Sequence, residues 1–404
     1  MSVYLLATLD TKGVEAGFVR DALRAAGAGV VVVDTGTLGE PRLAADVTRA
    51  QVFRAAGTTL EAVRAAGDRG RAVTLAADGA AELVRAAHAA GALSGVLGIG
   101  GGAGTTIGTR AMRALPLGVP KLMVSTLASG SVAHYVGSSD LLMMSAVVDI
   151  AGLNRISRAV LLRAAQAMAG MALGAAPPSA DGDRPLIAAS MFGVTTPCVE
   201  RAREVLSDAG YEVLVFHATG TGGRTLESLC ADGLLAGVLD VTTTELADEL
   251  VGGVLSAGPD RLTAAGRRGV PQVISVGATD MVNFHGYDTV PERFRGRRLY
   301  RHNEHVTLMR TTPEESAAIG RDLGAKAAAA LGPARILLPG RGVSAIDRAG
   351  QPFDDPAARA ALFAGVRAAA GRVPVDELDL HINDPAFAEA LAGALLELLP
   401  LRRG

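Results

Sequence analysis

The residues best suited to chemistry in this sequence are glycines and hydroxyls gathered in short runs behind apolar segments. The strongest run is Gly98-Ile99-Gly100-Gly101-Gly102-Ala103-Gly104-Thr105-Thr106. It follows an apolar strand-like stretch and opens a helical one. Backbone N–H groups unshielded by β-carbons can approach a phosphate closely and form an anion-binding concavity. A helix beginning near Thr105 adds free N–H groups and the positive end of its dipole. Thr105 and Thr106 offer hydroxyls to a phosphate or to a metal. No Gly-Lys-Ser/Thr follows, so this is not a Walker A loop. Its position after a late strand is also wrong for the dinucleotide fingerprint. The plainer alternative is a tight turn with close helix packing.

Two more polar loops follow strand-like runs in the same half. Ser125-Thr126-Leu127-Ala128-Ser129-Gly130-Ser131 carries four hydroxyls in seven residues. Thr8-Leu9-Asp10-Thr11-Lys12-Gly13 follows the first apolar run and opens the first helical stretch. There Lys12 can neutralise phosphate charge, and Asp10 can hold Mg²⁺ or orient Thr11; simple helix capping by Asp10 and Thr11 is the alternative. In a parallel sheet all three loops share the carboxyl edge, where open α/β sheets bind ligands. His134 and Asp140 extend this polar region in sequence.

The second half has its own constellation. His217-Ala218-Thr219-Gly220-Thr221-Gly222-Gly223-Arg224 combines an imidazole, hydroxyls, glycines and an arginine. That set suits a carboxylate or phosphate, with Arg224 as a bidentate partner. Asp34-Thr35-Gly36-Thr37 occupies the matching place in the first half. Further polar loops are Ser190–Cys198, Asp240–Glu245 and Gly277–His285, which supply Asp280 and His285. Their convergence on one edge predicts a second ligand site, with capping and turn chemistry as the alternative. His217, Arg224, Asp280 and His285 are the candidate catalytic residues. His302-Asn303-Glu304-His305 suggests a metal cluster, but neighbours on a strand point to opposite faces. His302 and Glu304 can share a face, and with His285 and Asp280 a zinc site is one reading. A polar pocket with a histidine acid or base is the other. Cys198 reads either as a helix-terminal thiolate or as a buried core thiol.

Elements must carry these loops, and the apolar pattern supplies them. The chain repeats itself. Residues 3–8 and 186–191 are matching apolar runs, and one offset separates Gly27 from Gly210 and Val30-Val31-Val32-Val33 from Val213-Leu214-Val215-Phe216. Ser94–Leu97 matches Ala236–Leu239, and Gly118–Val124 matches Gly269–Ser275. Each half alternates strand and helix, which implies right-handed crossovers and a parallel sheet. The fold class expected is α/β, with two Rossmann-like, doubly wound parallel-sheet domains related by an internal repeat. Helical stretches at 44–56, 59–67 and 79–90 sit in or beside an insertion in the first half. The stretch 174–183, with Pro177 and Pro178, reads as the linker. It divides a nucleotide-binding domain, 1–178, from a second domain with the other polar site, 184–404.

Composition narrows the classes. In 404 residues, aromatics are scarce and Trp is absent, leaving Ala, Val, Leu and Ile for the core. Small branched residues suit parallel strands covered on both faces. A net charge of −2 argues against nucleic acid or an anionic membrane as partner. Two cysteines form no disulfide framework, and the N-terminal run lacks the basic flank and cleavage site of a signal peptide. A cytoplasmic protein is expected.

The segments ATLDTKG, GIGGGAGTT, VPKLMVSTLASG and HATGTGGRTLE, in this order, resemble the family of ATP-binding proteins typified by the tomato mosaic virus resistance protein. The resemblance covers the whole chain. It implies two Rossmann-like domains, ATP bound in the first, and self-association into a homodimer. In the plant protein this region blocks viral RNA replication by binding the viral replication protein, a role that fold alone does not transfer. Plant members carry a further C-terminal barrel domain, expected to be missing here. Together these readings predict an ATP-binding protein, with Mg²⁺ as a possible companion. The expected activity is ATP-dependent chemistry on a small polar acid or phosphorylated metabolite bound in a cleft between domains. Alternatives are a non-catalytic ATP-binding dimer that regulates a protein partner, and a metal-assisted hydrolase or lyase using the histidines of the second domain.

Overall fold

The computed structural model describes residues 1–174 and 183–400. The chain divides into two compact units, Met1–Pro178 and Ser179–Gly404. The proline-rich linker expected between them lies, apart from its ends, outside the described residues.

The first unit is one five-stranded sheet. Its strands are β1 (Ser2–Ala7), β2 (Val30–Asp34), β3 (Leu93–Gly100), β4 (Lys121–Ser125) and β5 (Leu142–Ser145). Their order is β2-β1-β3-β4-β5 and every pairing is parallel. Helices cover both faces, as buried parallel strands require. Helices Leu9–Ala25 and Arg155–Leu173 pack over one face around Leu5, Val19, Leu97 and Met168. Helices Arg69–Ala89 and Gly102–Arg113 pack over the other around Leu6, Val84, Ile107 and Met123.

The second unit opens in the same way. Its first strands are β6 (Leu186–Met191), β7 (Glu212–His217), β8 (Gly237–Thr242) and β9 (Gln272–Gly277). Their order, β7-β6-β8-β9, repeats that of the first four strands of the chain. A departure from the alternating pattern follows. Strands β10 (Met281–Phe284), β11 (Leu299–Asn303) and β12 (Val306–Arg310) form a separate antiparallel sheet, of which only the last strand is legible from sequence. The chain then returns to the main sheet with β13 (Ala334–Pro339) and β14 (Val375–Leu378), both parallel. Among the described residues no helix is long and apolar enough to cross a membrane.

The inserted helices of the first unit place one wall of its site. Helix Arg49–Ala55 starts at a Thr48/Gln51 capping box, and helix Arg69–Ala89 is capped by Asp68. The two cross at Gly79, where a β-carbon would lie 2.0 Å from the Val52 carbonyl oxygen. In an exposed helix, Gly→Ala stabilises by roughly 1 kcal/mol. At this crossing the sign should reverse: Gly79→Ala must push the helices apart and is expected to lose about 1–3 kcal/mol, measured as a lower urea midpoint at unchanged slope.

Candidate functional site

The order of the first sheet reverses between β1 and β3, so the loops after these strands flank its topological switch point. Parallel strands bring several helix N-termini to this region, and most are already satisfied. Leu9 N–H, at the start of the first helix, donates to Asp34 Oδ1 at 3.1 Å. Arg71 N–H donates to Asp68. Helix Gly102–Arg113 differs: Gly101 is its N-cap and no side chain caps it. Helix geometry leaves its first-turn N–H groups without intrahelical acceptors.

The glycines of this loop have separate reasons. A β-carbon on Gly100 would lie 2.7 Å from Gly104 Cα, so the turn itself demands its absence. Added β-carbons on Gly101 and Gly102 would meet nothing nearer than Thr126 Oγ1 at 3.6 Å and Leu127 Cδ1 at 3.9 Å. Their bareness is not required by packing and leaves the first turn open to an approaching group. The helix starts at Gly102, earlier than expected, so Thr105 lies inside it. Thr105 is fully buried, donates to the Gly101 carbonyl at 2.8 Å, and lies 2.6 Å from Ser125 Oγ. Ser125 Oγ also accepts Leu127 N–H. These hydroxyls tie the β3 and β4 loops together and do not face a ligand. Thr106 donates to the Gly102 carbonyl. Thr126 N–H reaches the Gly100 carbonyl at 3.3 Å, Ser129 is exposed, and Gly130 closes a turn on Leu127.

The first loop is organised by its acid. Asp10 Oδ2 accepts Leu38 and Gly39 N–H at 3.1 and 3.2 Å, and Thr11 Oγ1 lies 2.8 Å from Thr8 Oγ1. Lys12, expected to hold phosphate, donates its Nζ to the Ile150 carbonyl. Asp34, at the end of β2, is where a dinucleotide fold keeps its ribose-binding acid. Here it is buried against Arg49 at 2.7 Å and also accepts Gly36 N–H. Between these loops lies a cavity of about 120 Å³ lined by Thr8, Asp10, Thr11, Thr37, Arg69 and Ala103, among others. The exposed Arg69 has no carboxylate partner among the described residues. Sequence reasoning missed it, although Asp68 as an N-cap signals that Arg69 opens a helix. Asp140 does not join this site. It pairs with Lys121 and accepts Gly118 N–H at the amino edge of the sheet, because it precedes β5 instead of following it. Burial opposes its charge, but these two partners outweigh burial and hold the carboxyl below its ordinary value.

In the second unit the comparable turn is filled by the protein itself. Glu245 Oε1 accepts Gly220 N–H at 2.7 Å and Gly223 N–H at 3.0 Å, at the start of helix Thr221–Ala231. A β-carbon on Gly223 would lie 2.1 Å from Glu245 Oε2. The glycines read as a ligand loop therefore make room for an internal carboxylate. Behind Glu245 lies Arg261, wholly buried, which grips Asp240 at 2.6 and 2.7 Å, Glu245 at 2.6 Å and Glu227 at 3.2 Å. Arg224 donates to the Ser256 carbonyl at 2.9 Å. His217 is exposed at the end of β7, its ring 5.3 Å from that of Phe192.

Asp280 is buried at the end of β9, accepting Ser344 Oγ at 2.8 Å. Burial, then the charge of Asp347, raise its carboxyl to about 7 against the opposing pull of Arg310. His285 is exposed beyond β10. Strands β7 and β9 are three places apart in the sheet, roughly 14 Å at ~4.8 Å per strand. His217 with Arg224 and Asp280 thus stand at separate places along the edge. Among the described residues no group of three His, Cys, Asp or Glu side chains could hold a metal ion. His302, Glu304 and His305 are all exposed. Cys198 is a core thiol, pushed up to about 12 by burial.

Residues 1–177 match the N-terminal domain, and residues 184–399 the C-terminal domain, of the uncharacterised protein family UPF0261. A UPF0261 protein of Rhizobium meliloti is 51% identical over 399 residues, 98% of each chain. One from Clostridium tetani is 46% identical over 399 residues, again 98% of each chain. The ToMV resistance protein Tm-1 of Solanum lycopersicum is 44% identical over 318 residues, 77% of this chain and 42% of the tomato protein.

Arg261 is the one cation among three carboxylates in the second unit's buried ion cluster. Arg261→Met strands those charges and should cost about 3–5 kcal/mol at pH 7.5. Chemical denaturation of both proteins measures this.

Proposed function

We propose, for a chain that belongs to the UPF0261 family across both of its domains, that the first domain binds ATP at the carboxyl edge of its sheet. The observation that carries this reading is the uncapped first turn of helix Gly102–Arg113, fronted by Gly101 and Gly102, whose missing side chains packing does not explain. Phosphate oxygens accept from the N–H groups of that turn, and the dipole favours their charge. Arg69, on the facing helix, supplies the cation that Lys12 was expected to supply. The cavity beside the turn, at about 120 Å³, is smaller than the ~300 Å³ of an ordinary small-molecule pocket. It seats one part of the nucleotide, and the rest lies over the open glycine face. Mg²⁺ enters with the phosphates and keeps most of its water, so one carboxylate suffices from the protein. Asp10 is the acid in place for it.

The bound nucleotide serves an ATP-dependent reaction on a small polar acid or phosphorylated metabolite. Such chemistry rests on positioning and charge neutralisation more than on covalent steps by the protein. One observation favours a second reading, an ATP-responsive homodimer that regulates a protein partner: Asp280, expected to act with His217 and Arg224 on a second substrate, stands apart from them, and Glu245 fills their turn. The tomato relative, named for resistance to a virus, fits that reading equally.

Calorimetric titration with ATP and Mg²⁺ tests the shared premise. Arg69→Ala should weaken binding about tenfold, the worth of a charge-assisted hydrogen bond, and Gly101→Val should abolish it with the fold intact by circular dichroism. Lys12→Ala should leave affinity within about twofold, since Lys12 serves Ile150. A wild-type protein that releases no heat with ATP, and shows no thermal shift, sinks the proposal. Mass measurement with and without ATP, beside a phosphate-release assay over sugar acids, then separates regulator from enzyme.

A further inference from the structure

The order of the second sheet also reverses, between β6 and β8, so its carboxyl edge has a topological switch point of the same kind. The chain's own segment Gly340–Asp347, which follows β13, is bonded to several loops along this edge. Ala345 N–H donates to the Val194 carbonyl at 3.0 Å, on the loop after β6. The Val343 carbonyl accepts Ala278 N–H at 2.9 Å, from the loop after β9. The Gly342 carbonyl accepts Ile382 N–H at 3.0 Å, from the loop after β14. Beneath the segment the Thr195 and Thr242 hydroxyls meet at 2.7 Å.

What pins the segment is a buried polar cluster. Ser344 Oγ donates to Asp280 Oδ2 at 2.8 Å. The Ser344 carbonyl lies 2.9 Å from His381 Nε2, and His381 Nδ1 accepts Asn383 N–H, so the Nε2 proton points at Ser344. Asp347 is held by Arg359 at 2.9 Å, Arg310 at 3.3 Å and Val343 N–H at 3.1 Å. Asp354 lies 3.7 Å from the far side of Arg359. Arg310 is divided among Asp347, Thr311 and the Phe353 and Asp280 carbonyls. Amid these partners Asp280 Oδ1 is buried and has none. An ionised oxygen in that position is costly. A protonated one escapes that cost, and the nearby charge of Asp347 also favours the proton.

We propose that Gly340–Asp347 is a strap over the carboxyl edge of the second sheet, latched through Ser344 to a protonated Asp280 and released when that proton leaves. The inference does not depend on nucleotide binding in the first domain. The sign follows from linkage. Closed, Asp280 keeps its proton to about pH 7, because burial and Asp347 both oppose its charge. Open and solvated, it returns to the ordinary carboxylate range near ~4. The closed strap therefore binds more protons between those values, and closure weakens as pH rises through that window. Below it the latch is complete; above about pH 7 no further weakening follows. On release, the Thr195 and Thr242 hydroxyls and the N–H groups of the surrounding loops become available to a polar ligand.

Amide hydrogen exchange on the full chain, corrected for intrinsic chemistry, reads the strap directly. Protection of the Val343, Ala345 and Asp347 amides should fall about tenfold per pH unit between pH 5 and 7 and then level off. Asp280→Asn, neutral at every pH, should hold protection flat. Asp248→Asn, which removes the other buried carboxyl raised to about 7, should leave the strap's slope in place. If Asp280→Asn does not fold, the wild-type profile alone decides. A strap whose protection ignores pH, a slope that survives Asp280→Asn, or an equal loss at core amides of β6 and β8 overturns the proposal.

Discussion

A parallel sheet wrapped by helices delivers one helix N-terminus after another to its carboxyl edge, and each arrives with unsatisfied N–H groups and a positive dipole end. Most of the polar architecture of this protein answers that constraint. Asp34 takes the Leu9 N–H, Asp68 takes Arg71, and Thr312 takes Glu315. Glu245 takes Gly220 and Gly223, while Glu227 takes Leu262, Thr263 and Ala264. In the first sheet the long helix at Gly102 has the same electrostatic need and no side chain to cap it; in the second, helices Thr196–Asp208 and Pro385–Leu398 also lack a side-chain cap.

Using carboxylates as internal caps creates a second problem, since buried anions require cations. Arg49 answers Asp34, and Arg261 answers Asp240, Glu245 and Glu227 at once. Such pairs add little net stability over apolar packing, and breaking one is costly because the remaining charge has no water. Their effect here is to fix geometry. Arg49 also donates to the Gly39 carbonyl, so one ion pair aligns the ends of β1 and β2 with the loop that walls the cavity. Asp280 and Asp248 are answered less completely, and both carboxyls are raised to about 7.

The two domains thus share a strand order and use their edges differently. The first leaves its switch point with an open turn, a cavity and Arg69, which has no carboxylate partner among the described residues. The second fills the matching turn with Glu245 and crosses its edge with Gly340–Asp347. A repeated framework has one half with an uncapped, open helix turn and the other with its matching turn filled by its own side chain.

Much of this was legible in the chain itself. Apolar runs of strand length alternating with helical stretches, and the match of Val30–Val33 to Val213–Phe216, determined two parallel α/β sheets with a common order. The glycine run before Gly102 marked a close-approach turn because only backbone can account for so many missing side chains. Sequence could not say what each glycine makes room for. Gly223 clears Glu245, and Gly100 clears Gly104, whereas Gly101 and Gly102 clear nothing in the protein. Nor could it pair Arg261 with Asp240, or turn Lys12 toward Ile150 and Arg69 toward the cavity. Local spacing governs which residues share a face, because helix and strand periods are short-range. Which charges meet is decided by crossovers that bring distant segments together, and only the folded chain supplies those.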